Sequence, residues 1–416
     1  MNPLSKIFLF IILVLANFLI AQKNLSKENF AKSYQPDAVF LHPDFLIYNQ
    51  NDSISALYYT FEYSELKYIG NTDSTVFKAN FQIKYAVYSN YEGKVLIDSS
   101  SIVMEDVAHY QQNMSQIGHI DMRVKRGGAY VLKVDFTDLN TGETVNRIYE
   151  IIKNADFGNQ DFFLKAEDGL PVFFNAVERD QKFSIVCNDS KITKFYIRRY
   201  PVNQTPAPPP MVGNPAANRK VLNDSTFEMD AKEGISKLIS LKDQGLYFVS
   251  VDSGTQHGFA IFRFTKSYPY INNSMQMLSS VRYLTSGNEF KQMMNNPDKK
   301  KAVDDFWLKI TGDEKRAANQ IAIYYNRVQN ANKLFSSTQE GWMTDRGMIY
   351  IVLGPPEAVY KNMDVETWIY GEANKSLGMR MNFVRQKNPA TNNDYLLDRN
   401  QTYSNYWNNA LEIWRR

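Results

Sequence analysis

Phe77-Lys78-Ala79-Asn80-Phe81-Gln82-Ile83-Lys84-Tyr85-Ala86-Val87 alternates apolar and polar residues from Phe77 to Tyr85. A period of two puts Phe77, Ala79, Phe81, Ile83, Tyr85 and Val87 on one face of a strand, with Lys78, Asn80, Gln82 and Lys84 on the other. The same pattern recurs at 57–63, where Leu57, Tyr59, Phe61 and Tyr63 oppose Tyr58, Thr60 and Glu62. Further strands are predicted at 94–104, 130–136 and 145–152, separated by Gly, Asn and Asp turns. Short strands at regular spacing with such turns argue for an antiparallel β-sandwich over 22–156.

A second β segment is expected over 157–268, with strands at 181–187, 193–200, 246–252 and 258–264. It is interrupted by Thr205-Pro-Ala-Pro-Pro-Pro-Met-Val-Gly-Asn-Pro215. Prolines cannot donate to a sheet ladder, so 205–215 is expected to be an extended, polyproline-like excursion between strands. A proline-recognising partner is the other use of such a run. The two β segments share a pattern. Gly128-Ala-Tyr-Val-Leu-Lys-Val-Asp135 and Gly245-Leu-Tyr-Phe-Val-Ser-Val-Asp252 have Gly, Tyr, Val and Asp in common at matching places. The expectation is two tandem immunoglobulin- or fibronectin-like sandwiches, each ending in such a strand and a closing hairpin.

Past residue 268 the period changes. Ile321, Tyr324, Tyr325, Val328, Ala331, Leu334 and Phe335 recur at three and four, one apolar stripe of a helix over 317–336. Val303, Phe306, Trp307 and Ile310 make a shorter stripe, with a start near Asn296-Pro-Asp298. Met348-Ile-Tyr-Ile-Val-Leu353 is continuously apolar and closed by Gly354-Pro355-Pro356, so it reads as a strand covered on both faces. Alternating segments at 365–370 and 379–385 should flank it in a sheet over 347–398, before a last helix over 402–415. The fold class expected is multidomain and mainly β, two sandwiches followed by an α+β region over 269–416.

The residues of that last region carry a resemblance. Gly341-Trp342-Met343-Thr344-Asp345, followed by Arg346-Gly347 and the apolar run to Gly354-Pro355-Pro356, resembles the signature of the GWxTD domain family, bacterial exported proteins named for the pentapeptide. Phe306-Trp307, Tyr324 to Val328, Ala331 to Phe335 and Glu366-Thr-Trp-Ile-Tyr370 extend the resemblance over about 275–416. It implies an exported protein and a domain layout, and no activity. Physically, Gly341 is expected to end the long helix in the left-handed conformation. Trp342 should seal the helix against the sheet. Thr344 and Asp345 should bond local backbone N–H groups, and Arg346 should pair with a carboxylate. The functional alternative is a groove where Trp342, Asp345 and Arg346, with Trp368 and Tyr370, face a ligand.

The first 21 residues follow an export pattern: Lys6, then an almost uninterrupted apolar run from Ile7 to Ile20, then Ala21. That run is shorter than the roughly 20 residues that span a bilayer, so cleavage is expected in preference to anchoring. The only cysteine, Cys187, lies far from the cleavage point, which argues against a lipid anchor and leaves no internal disulfide. Net charge is +3, and loses one unit with Lys6, so there is no electrostatic footprint for nucleic acid. The 26 Tyr and 26 Phe suit pleated surfaces.

No catalytic constellation stands out. Asp252-Ser253-Gly254-Thr255 matches the active-site string of aspartic proteases, but that chemistry needs a second carboxylate, and the repeat makes Asp252 a strand end followed by a turn. His42, His109, His119 and His257 are scattered. Asp135, Asp138 and Asn140 read as a turn and Cys187 as a buried strand residue, while Lys299-Lys300-Lys301 reads as a solvated helix face. No cofactor and no metal are expected. The function expected is that of a non-enzymatic envelope protein, periplasmic or at the outer membrane, that binds or scaffolds envelope partners. The rivals are a hydrolase with its site near the Trp342–Arg346 turn and a carbohydrate-binding protein using exposed aromatics. The hydrolase needs an open pocket at that turn with two ionisable side chains meeting at one point.

Overall fold

A computed structural model describes residues 24–70, 76–93, 95–108, 115–154, 157–213, 222–371 and 378–416. The expected signal peptide, His109 and the end of the proline-rich run lie outside the described residues. The chain forms a mainly β N-terminal region of several antiparallel sheets and a C-terminal α+β region. It divides into two compact units, Met1–Asp161 with Tyr360–Met363, and Phe162–Val359 with Asp364–Arg416.

In the first unit, β1 (Asp44–Asn49), β2 (Ile54–Glu62), β3 (Phe77–Tyr88), β4 (Leu96–Ala108), β5 (Ser115–Arg123), β6 (Gly128–Asp138) and β7 (Thr144–Lys153) make two sheets, ordered β1-β2-β5 and β4-β3-β6-β7. The alternation of 77–87 has its expected consequence. Phe81, Ile83, Tyr85 and Val87 meet Leu57, Tyr59 and Phe61 of β2 and Leu132, Val134 and Phe136 of β6 in one core. Phe61, Phe81 and Phe136 pack ring against ring at 4.8–5.8 Å between centroids.

The second β segment comprises β8 (Phe162–Ala166), β9 (Pro171–Val172), β10 (Phe183–Cys187), β11 (Lys194–Tyr200), β12 (Ser225–Lys232), β13 (Ile235–Ser236), β14 (Gly245–Ser250) and β15 (Phe259–Arg263). They form one eight-stranded sheet, ordered β15-β14-β11-β12-β13-β10-β8-β9. It curls into a half-barrel until the segment after β9 reaches β15, where Ala176 bridges Phe262. Phe162, Phe195 and Phe259 meet inside the curl. The repeated octapeptides occupy matching places: β6 pairs β3 and β7, and β14 pairs β11 and β15, each the first strand of a closing hairpin.

The helices are α1 (Ser274–Ser280), α2 (Gly287–Asn295), α3 (Lys299–Thr311), α4 (Glu314–Phe335), α5 (Asp345–Leu353) and α6 (Ser404–Trp414). The strands β16 (Ala358–Lys361), β17 (Val365–Tyr370), β18 (Met379–Arg385) and β19 (Tyr395–Leu397) make a sheet in chain order. Pro297 precedes α3, whose cap is Asp298, accepting from Lys301 N.

One expectation is overturned. Met348–Leu353 belongs to the helix α5, and the sheet of this region begins at β16. Its β-branched residues favour a strand locally, but Thr344 caps its start by accepting from Gly347 N, and Gly354, at φ +91°, closes its end. An element apolar on every side is stable as a helix when it is buried on every side. Every residue from Asp345 to Val352 is buried. The Gly354-Pro355-Pro356 run therefore stiffens the exit of a helix.

Candidate functional site

The corner begins where α4 ends. Asn332, fully buried, accepts from Trp342 N at 3.0 Å and donates to Pro269 O at 3.0 Å. These bonds seat the short 3-10 turn Gly341–Met343 against the last turns of α4. Gly341 is required for closeness and not, as expected, for a left-handed cap: a Cβ there would lie 2.0 Å from Ala331 O. Gly347 has the same reason, since its Cβ would lie 1.9 Å from Gly341 O. The turn and α5 thus pack backbone to backbone.

Trp342 is buried, but it packs against Tyr283, rings 6.0 Å apart, and its carbonyl accepts from Tyr283 Oη at 3.0 Å. The wedge between α4 and the sheet is Trp368 instead, 5.4 Å from Phe335 and 4.8 Å from Phe383. Each indole donates to a buried glutamate two residues upstream: Trp342 Nε1 to Glu340 at 2.9 Å, and Trp368 Nε1 to Glu366 at 2.7 Å. Glu340 accepts further from Thr265 Oγ1 at 2.9 Å, and Glu366 from Arg346 at 3.3 Å.

Thr344 bonds locally as expected. Asp345 does not. Its carboxylate accepts from Leu397 N at 2.8 Å and from the Arg399 guanidinium. Burial pushes the Asp345 carboxyl up, while Arg399 and the Leu397 N–H pull it down. Arg346 does find its carboxylate, Glu366; it also donates to Asn393 and lies over the Tyr395 ring at 4.2 Å. Asn393 in turn donates to Leu334 O and Ser336 O, closing the end of α4 onto the sheet. At the far end of α5, Tyr370 Oη donates to Gly354 O at 2.8 Å; Pro355 is exposed and Pro356 buried.

The proline-rich segment is part of this site. Ala207 N donates to Met343 O at 2.8 Å. Arg399 Nη1 donates to the carbonyls of Pro208, Pro209 and Val212 at 2.8, 2.6 and 3.0 Å, and Gln401 Nε2 to Met211 O at 3.0 Å. Beside it opens a cleft of about 1160 Å³, lined among others by Arg198, Tyr200, Thr344, Asp345, Arg346 and Lys387. Of its acids, Asp345 is held by Arg399, and Asp394 accepts from Asn388 at 2.7 Å.

Trp342, Thr344, Asp345, Arg346 and Trp368 are thus brought into one bonded cluster, with Gly354 and Tyr370 at the other end of α5. Glu340, Asn393 and Arg399 are not singled out by the sequence, and Asn332 and Glu366 lie within the stretches that carry the resemblance but have no role assigned to them there. The two glutamates had a signal in the repeated spacing of Glu340-Gly-Trp342 and Glu366-Thr-Trp368; Arg399 had none. Elsewhere, Asp252 accepts from Gly254 N in a turn, and Asp138 accepts from Asn140 N and Lys67 N. Lys300 and Lys301 pair with Asp304 and Asp305 one turn along α3. Among the described residues no group of three or more His, Cys, Asp or Glu is arranged to hold a metal.

Fold and site define a mainly β protein whose α+β region is built round a buried Trp–Thr–Asp–Arg corner. Residues 245–416 match the GWxTD domain family, and the chain carries a GWxTD domain there. The match begins at the first residue of β14, upstream of the expected start near 275, so the last hairpin of the curled sheet belongs to it. No curated protein matches the chain.

Proposed function

We propose that this is an exported, non-enzymatic protein of a bacterial envelope, periplasmic or at the outer membrane, that binds or scaffolds envelope partners. One observation carries the reading. The charged side chains of the signature are spent inside the fold, Asp345 on Arg399 and a backbone N–H, Arg346 on Glu366 and Asn393. Groups fixed in buried pairs hold a shape, whereas acid–base chemistry needs a proton donor or acceptor aimed at a substrate. The cleft beside them supplies surface for a ligand. Export is supported by the pattern of residues 1–21 and by the family resemblance. A sandwich over the first β segment is supported by the common core of its two sheets; the second segment, expected to be another sandwich, is one curled sheet that shares with the first only the matching places of β6 and β14.

Cross-linking in intact cells followed by mass spectrometry tests the proposal. Discrete envelope partners are expected, reduced when Arg399 is replaced by alanine. Turnover of a cell-wall, glycan or peptide substrate by the purified chain, with no partner captured, would establish the hydrolase instead.

A further inference from the structure

Strands β11 and β12 are antiparallel neighbours, which a turn of about two to five residues can join. Here the connection runs from residue 201 to 224. Connections longer than about 12–15 residues are usually functional or linkers. This one leaves the sheet, reaches the signature corner and is held there.

How it is held specifies what the surface reads. A proline has a carbonyl but no N–H, so a surface that grips a proline-rich strand must supply donors. Arg399 and Gln401 do so, contacting the carbonyls of Pro208, Pro209, Met211 and Val212. The main chain of the signature supplies the complementary acceptor, Met343 O, to the N–H of Ala207, the residue between Pro206 and Pro208. Ala207 and Pro210 are buried. Arg399 is aimed by Asp345, which makes the aspartate of the signature a positioning residue for peptide recognition. The cleft runs on beside this segment, and on its wall the buried Ser337 hydroxyl has no partner among the described residues.

We propose that the GWxTD corner is a receptor for an extended, proline-rich segment of a partner protein, a site that Thr205–Val212 of this chain fills in cis. A polyproline strand loses little conformational freedom on docking, so exchange of one such strand for another is energetically mild. The segment in cis lowers the apparent affinity for a competitor by the fraction of time it occupies the site. This inference rests on the binding-protein reading above and names its partner.

The test uses the full chain with residues 204–212 replaced by a Gly/Ser stretch of equal length. The probe is a fluorescein-labelled peptide with the sequence of residues 202–213, followed by fluorescence anisotropy. Saturable binding at least ten-fold tighter than to the wild-type chain is expected, weakened at least ten-fold by adding Arg399→Ala, and weakened likewise when the prolines of the peptide become alanine. A replaced chain that melts cooperatively yet shows no saturable binding would overturn the proposal. Should the replaced chain not fold, Ala207→Pro in the intact chain removes the donor to Met343 O. It is expected to raise peptide affinity several-fold, and a folded variant with no gain over wild type overturns the idea equally. Partners captured in cells without peptide binding would sink this inference and leave the binding reading standing. Peptide binding by a chain that also turns over a substrate and captures no partner would do the reverse.

Discussion

Asp345 and Arg399 are 54 positions apart in the chain and pair, with the carboxylate buried and the guanidinium nearly so. Removing one member of such a pair strands the other charge, at a cost of about 3–5 kcal/mol. Asp345→Asn keeps the size and the acceptor for Leu397 N but takes the charge from Arg399. It is expected to lower unfolding free energy by about 3 kcal/mol in urea titrations; a loss under about 1 kcal/mol would show that the pair does not matter to the fold. Gly341 is subject to a different constraint. A methyl group 2.0 Å from Ala331 O forces the turn off α4, so Gly341→Ala should destabilise by roughly 3 kcal/mol. At Gly128, whose Cβ would meet nothing nearer than 3.9 Å, the same change should stay within about 0.5 kcal/mol. Equal effects at the two glycines, measured by thermal melts, would contradict the close approach.

At the scale of elements, two charged side chains tie ends together. Lys153, the last residue of β7, is fully buried and donates to Ile54 O, Ser55 Oγ and Val124 O, joining β2 and the end of β5. Burial lowers it from 10.5 to about 8. Below pH 8 the group is charged in both states. Between 8 and 10.5 the unfolded chain holds a proton that the folded chain has released, so stability rises with pH in that window. Lys153→Met should cost about 1–3 kcal/mol at pH 7 through the Val124 carbonyl, which loses its donor. The gap between wild type and variant should widen from pH 8 to 10, and a constant gap would mean that the lysine does not titrate there. Glu289 closes the capping box of α2 and accepts from Arg415 at 2.8 Å beyond α6. The Arg415 guanidinium holds its carboxyl down from 4.5 to about 2. Its contribution is present above pH 4.5 and is lost as pH falls from 4.5 to 2. Glu289→Gln should therefore flatten the acid limb of a melting-temperature profile, and an unchanged limb would assign acid lability elsewhere.

At the scale of the molecule, the curled sheet and the α+β region share one unit. Leu246, Phe248, Ala260, Phe262 and Phe264 of the last hairpin cluster with Ala390, Tyr268 donates to Asn332 O, and Thr265 to Glu340. A cut at residue 268 would leave these groups unpartnered. A fragment of residues 162–416 is expected to melt cooperatively, and one of residues 269–416 to lack a cooperative transition by circular dichroism. Cooperative melting of the shorter fragment would show that the hairpin is dispensable to the GWxTD fold.

Much of this was legible along the chain. Alternation located β2 and β3, a three-and-four stripe located α4, and two alternating segments located β17 and β18, because periodicity records which face each element buries. The signature and its neighbours located the GWxTD domain. What escaped local reading was decided by partners distant in sequence. Met348–Leu353 is strand-like by propensity and a helix by its caps and its burial on every side. Asp345 looks like a turn residue until Arg399 is folded beside it, and Thr205–Val212 looks like an idle loop until its carbonyls meet that same arginine. Local pattern fixes which surfaces must leave water; only closure of the chain settles which buried polar group answers which, because an unpaired charge or carbonyl is costly wherever its partner lies in the sequence.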